Sequence, residues 1–298
     1  MPTPGTLAAP NPADEGAATF APGTPRLAPA QFDIFRRLAG THAGIALPDY
    51  KRSMVHRRLA KRLKALGIAD FCEYADLLLG AASESEIEFF VNALTTNKTD
   101  FYREGHHFDH LATVALADLR KRLDREGSRR LRLWSAGCST GQEPYSIALT
   151  LMDVLSDIAR WDARILATDI DTDVLEIGRK GIYPEEEVAR IPAALRARHV
   201  KPVPGERELF GVSREARSLV TFNPLNLHAA WPMKGKFDVI FCRNVIIYFD
   251  KPAQRLLFDR FANLMRDGGY LYIGHSESLY KVSERFRPAG QNIYQRVM

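Results

Sequence analysis

The chain has 298 residues, 41 Lys+Arg against 36 Asp+Glu, 46% hydrophobic residues and a formal net charge of +5. This composition excludes collagen-like, disulfide-rich and wholly disordered proteins. At roughly 100–200 residues per domain, the length favours two domains. The three cysteines are far apart in the sequence, which argues against a disulfide framework or a zinc ribbon and favours a reducing compartment. No run approaches the roughly 18 apolar residues of a membrane span, so we expect no stable membrane insertion.

The first 30 residues differ from the rest of the chain. They contain seven of the 17 prolines, eight alanines and only three charged residues. Such a segment cannot bury enough apolar surface to offset the entropy lost on ordering, so we expect residues 1–30 to form a disordered tail. The segment lacks the basic start and apolar core of a signal peptide, which favours a cytoplasmic protein.

Residues 31–95 have the apolar periodicity of helices, and we expect a small all-α domain here. The first predicted helix begins near Phe32, the second covers about residues 50–66 and a further one covers about residues 84–94. Gly67 has the position of the left-handed residue that commonly ends a helix.

The second predicted helix is strongly basic, with seven Lys/Arg and no acid in residues 51–64. Such a run is commonly a solvent-exposed face of a helix, but exposed faces normally carry charges of both signs. Like charges four residues apart also destabilise a helix. An acidic partner would turn this cost into attraction, and nucleic acid, anionic lipid and an acidic protein helix would all qualify. The candidate partner-binding residues are Arg57, Arg58, Lys61 and Arg62.

From residue 96 to the end of the chain, predicted strands alternate with predicted helices. The strands are residues 131–136, 164–168, 237–242 and 270–274, and the helices cover about residues 145–155 and 253–265. This alternation predicts a Rossmann-like α/β domain with a doubly wound parallel sheet. Ligands bind such sheets at the carboxyl ends of the strands.

Two features at those strand ends indicate an adenosine-bearing cofactor, although the glycines could also serve only as a turn. Gly137 and Gly141 let the backbone approach a ligand after the first strand, and Asp169 ends the next strand, where a carboxylate can accept both ribose hydroxyls. The glycine spacing matches neither the dinucleotide fingerprint nor the phosphate-binding loop. S-adenosyl-L-methionine, which has no phosphate, therefore fits better than NAD or ATP. Glu143 suits the ammonium group of its methionine moiety.

Six segments of the chain resemble the CheR-type chemotaxis receptor methyltransferases, in the order in which that family has them. They are residues 95–104, 136–146, 167–171, 223–227, 241–249 and 274–279. The resemblance implies a class I S-adenosylmethionine-dependent methyltransferase domain over residues 96–298, preceded by the all-α domain. It also implies a small inserted antiparallel β-subdomain at about residues 199–221.

The short strands expected in this subdomain are residues 200–203, 208–212 and 218–221. Family members that dock on a receptor tethering peptide tend to carry a glycine-rich loop there. Residues 202–207 do not form such a loop, which leaves tethering open.

The family's reaction implies transfer of a methyl group to glutamate side chains of methyl-accepting chemoreceptors, giving methyl esters and S-adenosyl-L-homocysteine. We therefore expect a monomeric protein-glutamate O-methyltransferase whose basic helix faces the cytoplasmic helical domain of a receptor. A methyltransferase of the same fold that acts on RNA is the alternative. The small positive excess disfavours a nucleic-acid partner.

Because glutamate is already ionised at neutral pH, this chemistry needs alignment more than a base, and we expect no metal. Arg103 is the candidate that holds the incoming carboxylate, since its planar guanidinium can bond both oxygens, and Tyr248 is a second, neutral donor. The cofactor-binding residues that the resemblance implies are Asn97, Thr99, Arg103, Gly137, Glu143, Asp169, Asn226, Leu227, Asn244 and Val245. From the pattern alone, Asn97 and Thr99 could instead cap a helix.

Overall fold

The computed structural model describes residues 25–80 and 84–297. Its first part is a unit of four helices, hereafter the helical unit. The helices are α1 (Pro29–Ala43), α2 (Arg52–Leu66), α3 (Phe71–Leu79) and α4 (Glu84–Leu94), and a 3₁₀ turn, Asp49–Lys51, precedes α2. Helix α2 ends at Gly67 with φ +69°, as the sequence predicts. The apolar faces of the helices pack around Phe35 and Phe90 in a core of their own.

The second part contains a large sheet of seven strands and a small sheet of three. The large sheet is formed by β1 (Arg130–Ala136), β2 (Asp162–Asp169), β6 (Val220–Pro224), β7 (Phe237–Cys242), β8 (Met265–Ile273), β9 (Phe286–Gly290) and β10 (Ile293–Arg296). The small sheet is formed by β3 (Ile182–Pro184), β4 (Val200–Pro202) and β5 (Leu209–Val212).

Eight helices accompany these sheets. They are α5 (His106–His110), α6 (Leu116–Arg125), α7 (Gln142–Val154), α8 (Thr172–Lys180), α9 (Glu185–Val188), α10 (Ala193–His199), α11 (Arg214–Ser218) and α12 (Lys251–Leu264). A π-helical turn, Leu111–Ala115, joins α5 to α6.

The large sheet is doubly wound, and the predicted fold class is confirmed. Its strand order is β6-β2-β1-β7-β8-β10-β9, with five parallel strands followed by two antiparallel strands at one edge. Alternate side chains of β1 enter two different cores, Leu133 on one face and Trp134 on the other. Strand order reverses at β1, so the carboxyl ends of β1, β2 and β7 form the crevice in which such sheets bind ligands.

One strand predicted for the β-subdomain belongs to the large sheet instead. Residues 218–221 lead into β6, which pairs in parallel with β2, and the third strand of the small sheet is β3. The reason lies in Phe222, a buried residue of β6 whose ring packs against Tyr145 of α7. This contact anchors β6 to the core of the large sheet.

The tail prediction is wrong for residues 25–30, and residues 1–24 lie outside the described residues. Leu27 is buried in the helical core, Nε2 of His56 lies 2.7 Å from the carbonyl oxygen of Pro25, and α1 already begins at Pro29. A proline suits this position because the N–H groups of the first helical residues have no hydrogen-bond acceptor within the helix. Among the described residues, no helix has the length and apolar character needed to cross a membrane.

Candidate active site

A cavity lies between the helical unit and the carboxyl ends of β1, β2 and β7. It encloses about 950 Å³, its open mouth included. The helical unit contributes Ala43 and Ile45 to its lining. All the predicted catalytic and cofactor-binding residues line it, namely Asn97, Thr99, Arg103, Gly137, Glu143, Asp169, Asn226, Leu227, Asn244, Val245 and Tyr248.

The geometry of the turn after β1 requires glycine at positions 137 and 141. Gly137 has φ +82°, and a Cβ there would lie 2.3 Å from Cγ2 of Val245. Gly141 has φ +97°, and its Cβ would lie 2.8 Å from the hydroxyl oxygen of Tyr183. The amide of Gly137 donates to the carbonyl oxygen of Thr168 at 2.8 Å, which ties the turn to the end of β2. Glycine alone satisfies both positions, and Gly137 lines the cavity.

Asp169, at the end of β2, is a buried carboxylate held by backbone amides. Its Oδ2 accepts from the amide of Ser139 at 2.8 Å, and its Oδ1 accepts from the amide of Asp171 at 3.1 Å. Burial raises the pKa of Asp169, and these hydrogen bonds oppose the rise. Because a carboxylate has about four lone-pair sites, these amides leave Asp169 able to accept a further hydrogen bond from a ribose hydroxyl.

Arg243, which the sequence analysis missed, organises one wall of the cavity. Its side chain is 2% exposed and lies 3.0 Å from Oε2 of Glu143 and 3.2 Å from Oε2 of Glu104. The guanidinium also donates to the carbonyl oxygen of Arg103, and Ser135 donates to Oε1 of Glu143 at 2.7 Å. The available signal was the position of Arg243 directly after β7, at a strand end where ligands bind.

The two carboxylates beside Arg243 differ in pKa. Burial alone would raise the pKa of Glu104, but the charge of Arg243 and a hydrogen bond from His275 bring it down to about 2. Burial raises the pKa of Glu143, and Arg243 and Ser135 oppose the rise. Each oxygen of Glu143 accepts one hydrogen bond within the protein, so this carboxyl group keeps free lone pairs, which fit a cofactor that carries an ammonium group.

Arg103 lines the cavity from a turn of unusual backbone conformation. Its neighbours Tyr102 and Glu104 have φ +53° and +57°, a left-handed conformation that costs a non-glycine residue about 1 kcal/mol. The amide of Tyr102 donates to Oγ of Ser146 at 3.0 Å, which holds the turn against α7. The guanidinium of Arg103 donates to the carbonyl oxygen of Lys98 at 2.9 Å. It makes no ion pair with any described residue, so it keeps donors for an anionic ligand.

Tyr248 lies in a 3₁₀ turn, Ile246–Tyr248. This turn is held in place by Glu277, which, like Arg243, the sequence analysis missed. Glu277 is buried, and its carboxylate accepts hydrogen bonds from the amides of Asn244, Ile246, Ile247 and Gly274. Burial raises the pKa of Glu277, and these amides oppose the rise. Nζ of Lys51 lies 5.3 Å from the centroid of the Tyr248 ring. Tyr248 therefore connects the loops at the strand ends of the large sheet with Lys51, the residue directly before α2.

Asn97 and Thr99 lie in the linker between α4 and α5, and neither caps a helix, so that alternative is wrong. Nδ2 of Asn97 donates to Oδ2 of Asp171 at 2.7 Å, and its carbonyl oxygen accepts from Oγ of Ser139 at 2.9 Å. Asp171 also caps α8, because its Oδ1 accepts from the amide of Asp173 at 3.0 Å. The linker is thereby fixed beside Asp169 and the glycine turn.

Leu227 lies in a loop fixed by Arg260 of α12. The guanidinium donates to the carbonyl oxygen of Leu227 at 2.9 Å, and its carbon lies 3.8 Å from the centroid of the Trp231 ring. Asn226, the preceding residue, donates from Nδ2 to the carbonyl oxygen of His42 in the helical unit.

The four predicted partner-binding residues of α2 have two different environments. Arg57 and Lys61 are exposed. Arg58 donates to the carbonyl oxygens of Leu94 and Thr95, each at 2.7 Å, and so ties α2 to the linker. Arg62 forms two hydrogen bonds, of 2.9 and 2.6 Å, with the buried carboxylate of Glu86. Acceptors within the chain therefore hold the guanidinium groups of Arg58 and Arg62, whereas Arg57 and Lys61 are exposed. The exposed bases of the helix are Arg52, Arg57, Lys61 and Lys64.

Two family descriptions match nearly the whole described chain. The family described as "CheR methyltransferase, all-alpha domain" matches residues 30–95, and that described as "CheR methyltransferase, SAM binding domain" matches residues 97–295. The cavity lies where these two matched regions meet, because it takes lining residues from both.

Among curated proteins, three similar sequences are named as chemotaxis methyltransferases. A probable chemotaxis protein methyltransferase of Rhizobium etli is 47% identical over 79% of this chain and 87% of its own. The chemotaxis protein methyltransferase of Escherichia coli is 43% identical over 90% of this chain and 91% of its own. Chemotaxis protein methyltransferase 2 of Pseudomonas aeruginosa is 44% identical over 84% of this chain and 87% of its own.

These matches confirm the family and the cofactor that the sequence analysis predicts. The matched domain is one that binds S-adenosylmethionine, and the free lone pairs of Glu143 and Asp169 together with Gly137 in the cavity lining fit that molecule. The chain belongs to the CheR methyltransferase family, with its all-α domain and its S-adenosylmethionine-binding domain both present.

Proposed function

We propose that the protein transfers the methyl group of S-adenosylmethionine to glutamate side chains of methyl-accepting chemoreceptors. The products are a glutamate methyl ester and S-adenosylhomocysteine. The observation that carries this proposal is the presence of Arg103 and Tyr248 in the same cavity as the cofactor residues. A guanidinium with unpaired donors and a phenol are suited to hold a carboxylate, and neither acts as a base.

The residues of the cavity divide into two groups by the ligand that they serve. Asp169 would hold the ribose of the cofactor, Glu143 its ammonium group, and Asn226 and Leu227 would border its adenine. The bound cofactor supplies an electrophilic methyl group on a sulfonium. Arg103 would orient the incoming carboxylate through both of its oxygens, and Tyr248 would donate to it as a neutral group.

The electrostatics of the acceptor side favour positioning over strong charge stabilisation. The acceptor carboxylate is already ionised at neutral pH, since an ordinary glutamate has a pKa near 4.3. Its negative charge is lost as the ester forms, so a very strong anion site would hold the reactant more tightly than the transition state. A single arginine with a neutral tyrosine meets this requirement. Alignment of the acceptor can contribute several kcal/mol to catalysis.

The partner that we propose is the cytoplasmic helical domain of a chemoreceptor, where the enzyme would act as a monomer. The exposed bases Arg57 and Lys61 on α2 would contact an acidic receptor surface. Lys51, directly before α2, extends this basic surface to the ring of Tyr248, and burial together with the charge of Arg58 lowers the pKa of Lys51. A basic surface next to the acceptor site would guide a segment that carries several carboxylates.

The proposal is tested by incubating the purified protein with receptor-containing membranes and radiolabelled S-adenosylmethionine. We expect label on the receptor, and we expect mild alkali to release it, because carboxyl esters hydrolyse under these conditions. Label that survives alkali, or label found on added RNA instead of the receptor, contradicts the proposal.

A pair of variants assigns the activity to the cavity. Arg103→Ala should lower turnover at saturating cofactor by about a hundredfold, while the affinity for S-adenosylhomocysteine changes less than about threefold. The matched control is Arg160→Ala, since Arg160 is an exposed arginine that precedes β2, at the end of that strand opposite to Asp169. If the affinity for S-adenosylhomocysteine falls as far as turnover, Arg103 serves the cofactor and not the acceptor.

A further inference from the structure

The segment that follows α1, residues 42–46, contacts the methyltransferase part at three points. We call it the α1 clasp. Gly44 ends α1 with φ +68°, and its amide donates to the carbonyl oxygens of Ala39 and Gly40. This left-handed residue turns the chain away from the helix axis towards the cavity, where Ala43 and Ile45 join the lining.

Two backbone atoms of the α1 clasp bind residues of the proposed site. The amide of Ala46 donates to the carbonyl oxygen of Tyr248 at 2.8 Å. The carbonyl oxygen of His42 accepts from Nδ2 of Asn226, whose Oδ1 in turn accepts from the amide of His228 at 2.9 Å. The helical unit therefore holds one residue proposed to contact the acceptor and one proposed to border the cofactor.

Gly44 lies between these two contacts and packs closely against residues adjacent to Asn226 and Tyr248. A Cβ on Gly44 would lie 2.8 Å from Nδ1 of His228 and 2.9 Å from Cε1 of Phe249. His228 lies two residues after Asn226, and Phe249 directly follows Tyr248. A side chain at position 44 would therefore push on both neighbours, and through them on both site residues.

We propose that Gly44 is a positioning residue, which seats the helical domain closely enough for the α1 clasp to fix Asn226 and Tyr248 around the bound cofactor. The role assigned to Tyr248 rests on the proposed function, whereas the effect on cofactor binding does not. The helical domain thus completes the catalytic site as well as carrying the basic helix.

Gly67 provides a matched control for the experiment. It ends α2 with φ +69°, the same conformation as Gly44, but a Cβ there has no neighbour within 4 Å. Gly44→Ala and Gly67→Ala therefore impose the same backbone strain, and only the first adds a steric contact. The readouts are thermal unfolding, the affinity for S-adenosylhomocysteine by calorimetry, and methyl transfer at saturating S-adenosylmethionine.

We expect both variants to lower the melting temperature, and only Gly44→Ala to impair the site. Its affinity for S-adenosylhomocysteine should fall by about fivefold or more, and its turnover at saturating cofactor by about tenfold or more, because small misplacements of catalytic groups are costly. His228→Ala in the Gly44→Ala background should restore part of the affinity, since it removes the nearest obstructing ring. Asn tolerates left-handed backbone, so the pair Gly44→Asn and Gly67→Asn replaces the alanine pair if Gly44→Ala does not fold.

The proposal is overturned if Gly44→Ala and Gly67→Ala have the same affinity for S-adenosylhomocysteine and the same turnover. It is also overturned if adding His228→Ala to Gly44→Ala restores none of the lost affinity. A loss of affinity confined to the Gly44 variants supports it even when wild-type protein fails to methylate receptors. In that case only the proposed acceptor is wrong.

Discussion

Replacing Arg243 tests the charge cluster that forms one wall of the cavity. Its side chain is 2% exposed and contacts Glu143 at 3.0 Å and Glu104 at 3.2 Å. Arg243→Ala leaves two carboxylates in a protein interior without their shared counter-ion. Breaking a buried ion pair by removing one partner costs roughly 3–5 kcal/mol, so we expect the free energy of unfolding at pH 7 to fall by about that amount.

The pH dependence of this loss gives a second, independent readout. The pKa of Glu104 is lowered from 4.5 to about 2, so its pairing stabilises the folded protein above its ordinary pKa, and this stabilisation disappears as the pH falls towards 2. In Arg243→Ala the two carboxylates should have raised pKa values and take up protons at higher pH. The stability gap between wild type and variant should therefore narrow as the pH falls from about 7 to about 4.

Urea unfolding at several pH values measures both effects, with Arg160→Ala as the exposed control. A loss below about 1 kcal/mol, or a gap that does not change with pH, would refute the assignment of Arg243 as the shared counter-ion.

Two further pairs of variants probe the basic helix and the linker. Neutralising Arg57 and Lys61 together should raise the KM for receptor about tenfold and weaken its salt dependence, with little change in melting temperature. Arg62→Ala should instead lower the melting temperature, because the buried carboxylate of Glu86 loses its ion-pair partner. Equal effects of the two changes on the KM would argue against separate roles for these bases. Asp171→Ala removes the hydrogen-bond acceptor of Asn97 Nδ2 and the N-terminal cap of α8, so calorimetry should show that S-adenosylhomocysteine binds about tenfold more weakly. The control is Asp173→Ala, two residues further along the chain. Equal affinities in the two variants would contradict the role of the linker in cofactor binding.

The parts of the fold that sequence analysis predicted are those with a strong local pattern. The continuous apolar run of β7 and the helical spacing of α2 were visible because each element follows from neighbouring residues. The strand β3 has only three residues, and Pro184 within it weakens any strand pattern. Its membership of the small sheet depends on pairing with β5, which periodicity does not reveal.

The site was predicted as a set of residues but not as a network. Gly137 and Asp169 could be predicted from the sequence, because each directly follows or ends a predicted strand, where such sheets bind ligands. Arg243 and Glu143 are 100 residues apart, and their ion pair exists only because β1 and β7 are neighbours in the sheet. Arg58 likewise has the pattern of a surface base, yet it donates to the carbonyl oxygens of Leu94, at the end of α4, and of Thr95, in the linker that follows.

The central claim, that this cavity esterifies receptor glutamates, is tested most directly by locating the transferred methyl group. After reaction of receptor with S-adenosylmethionine and the enzyme, tandem mass spectrometry of receptor peptides should find the methyl group on glutamate side chains. The modification should be absent with Arg103→Ala and should disappear after mild alkali. A methyl group on a nitrogen of lysine or arginine, or on no receptor residue at all, would contradict the account.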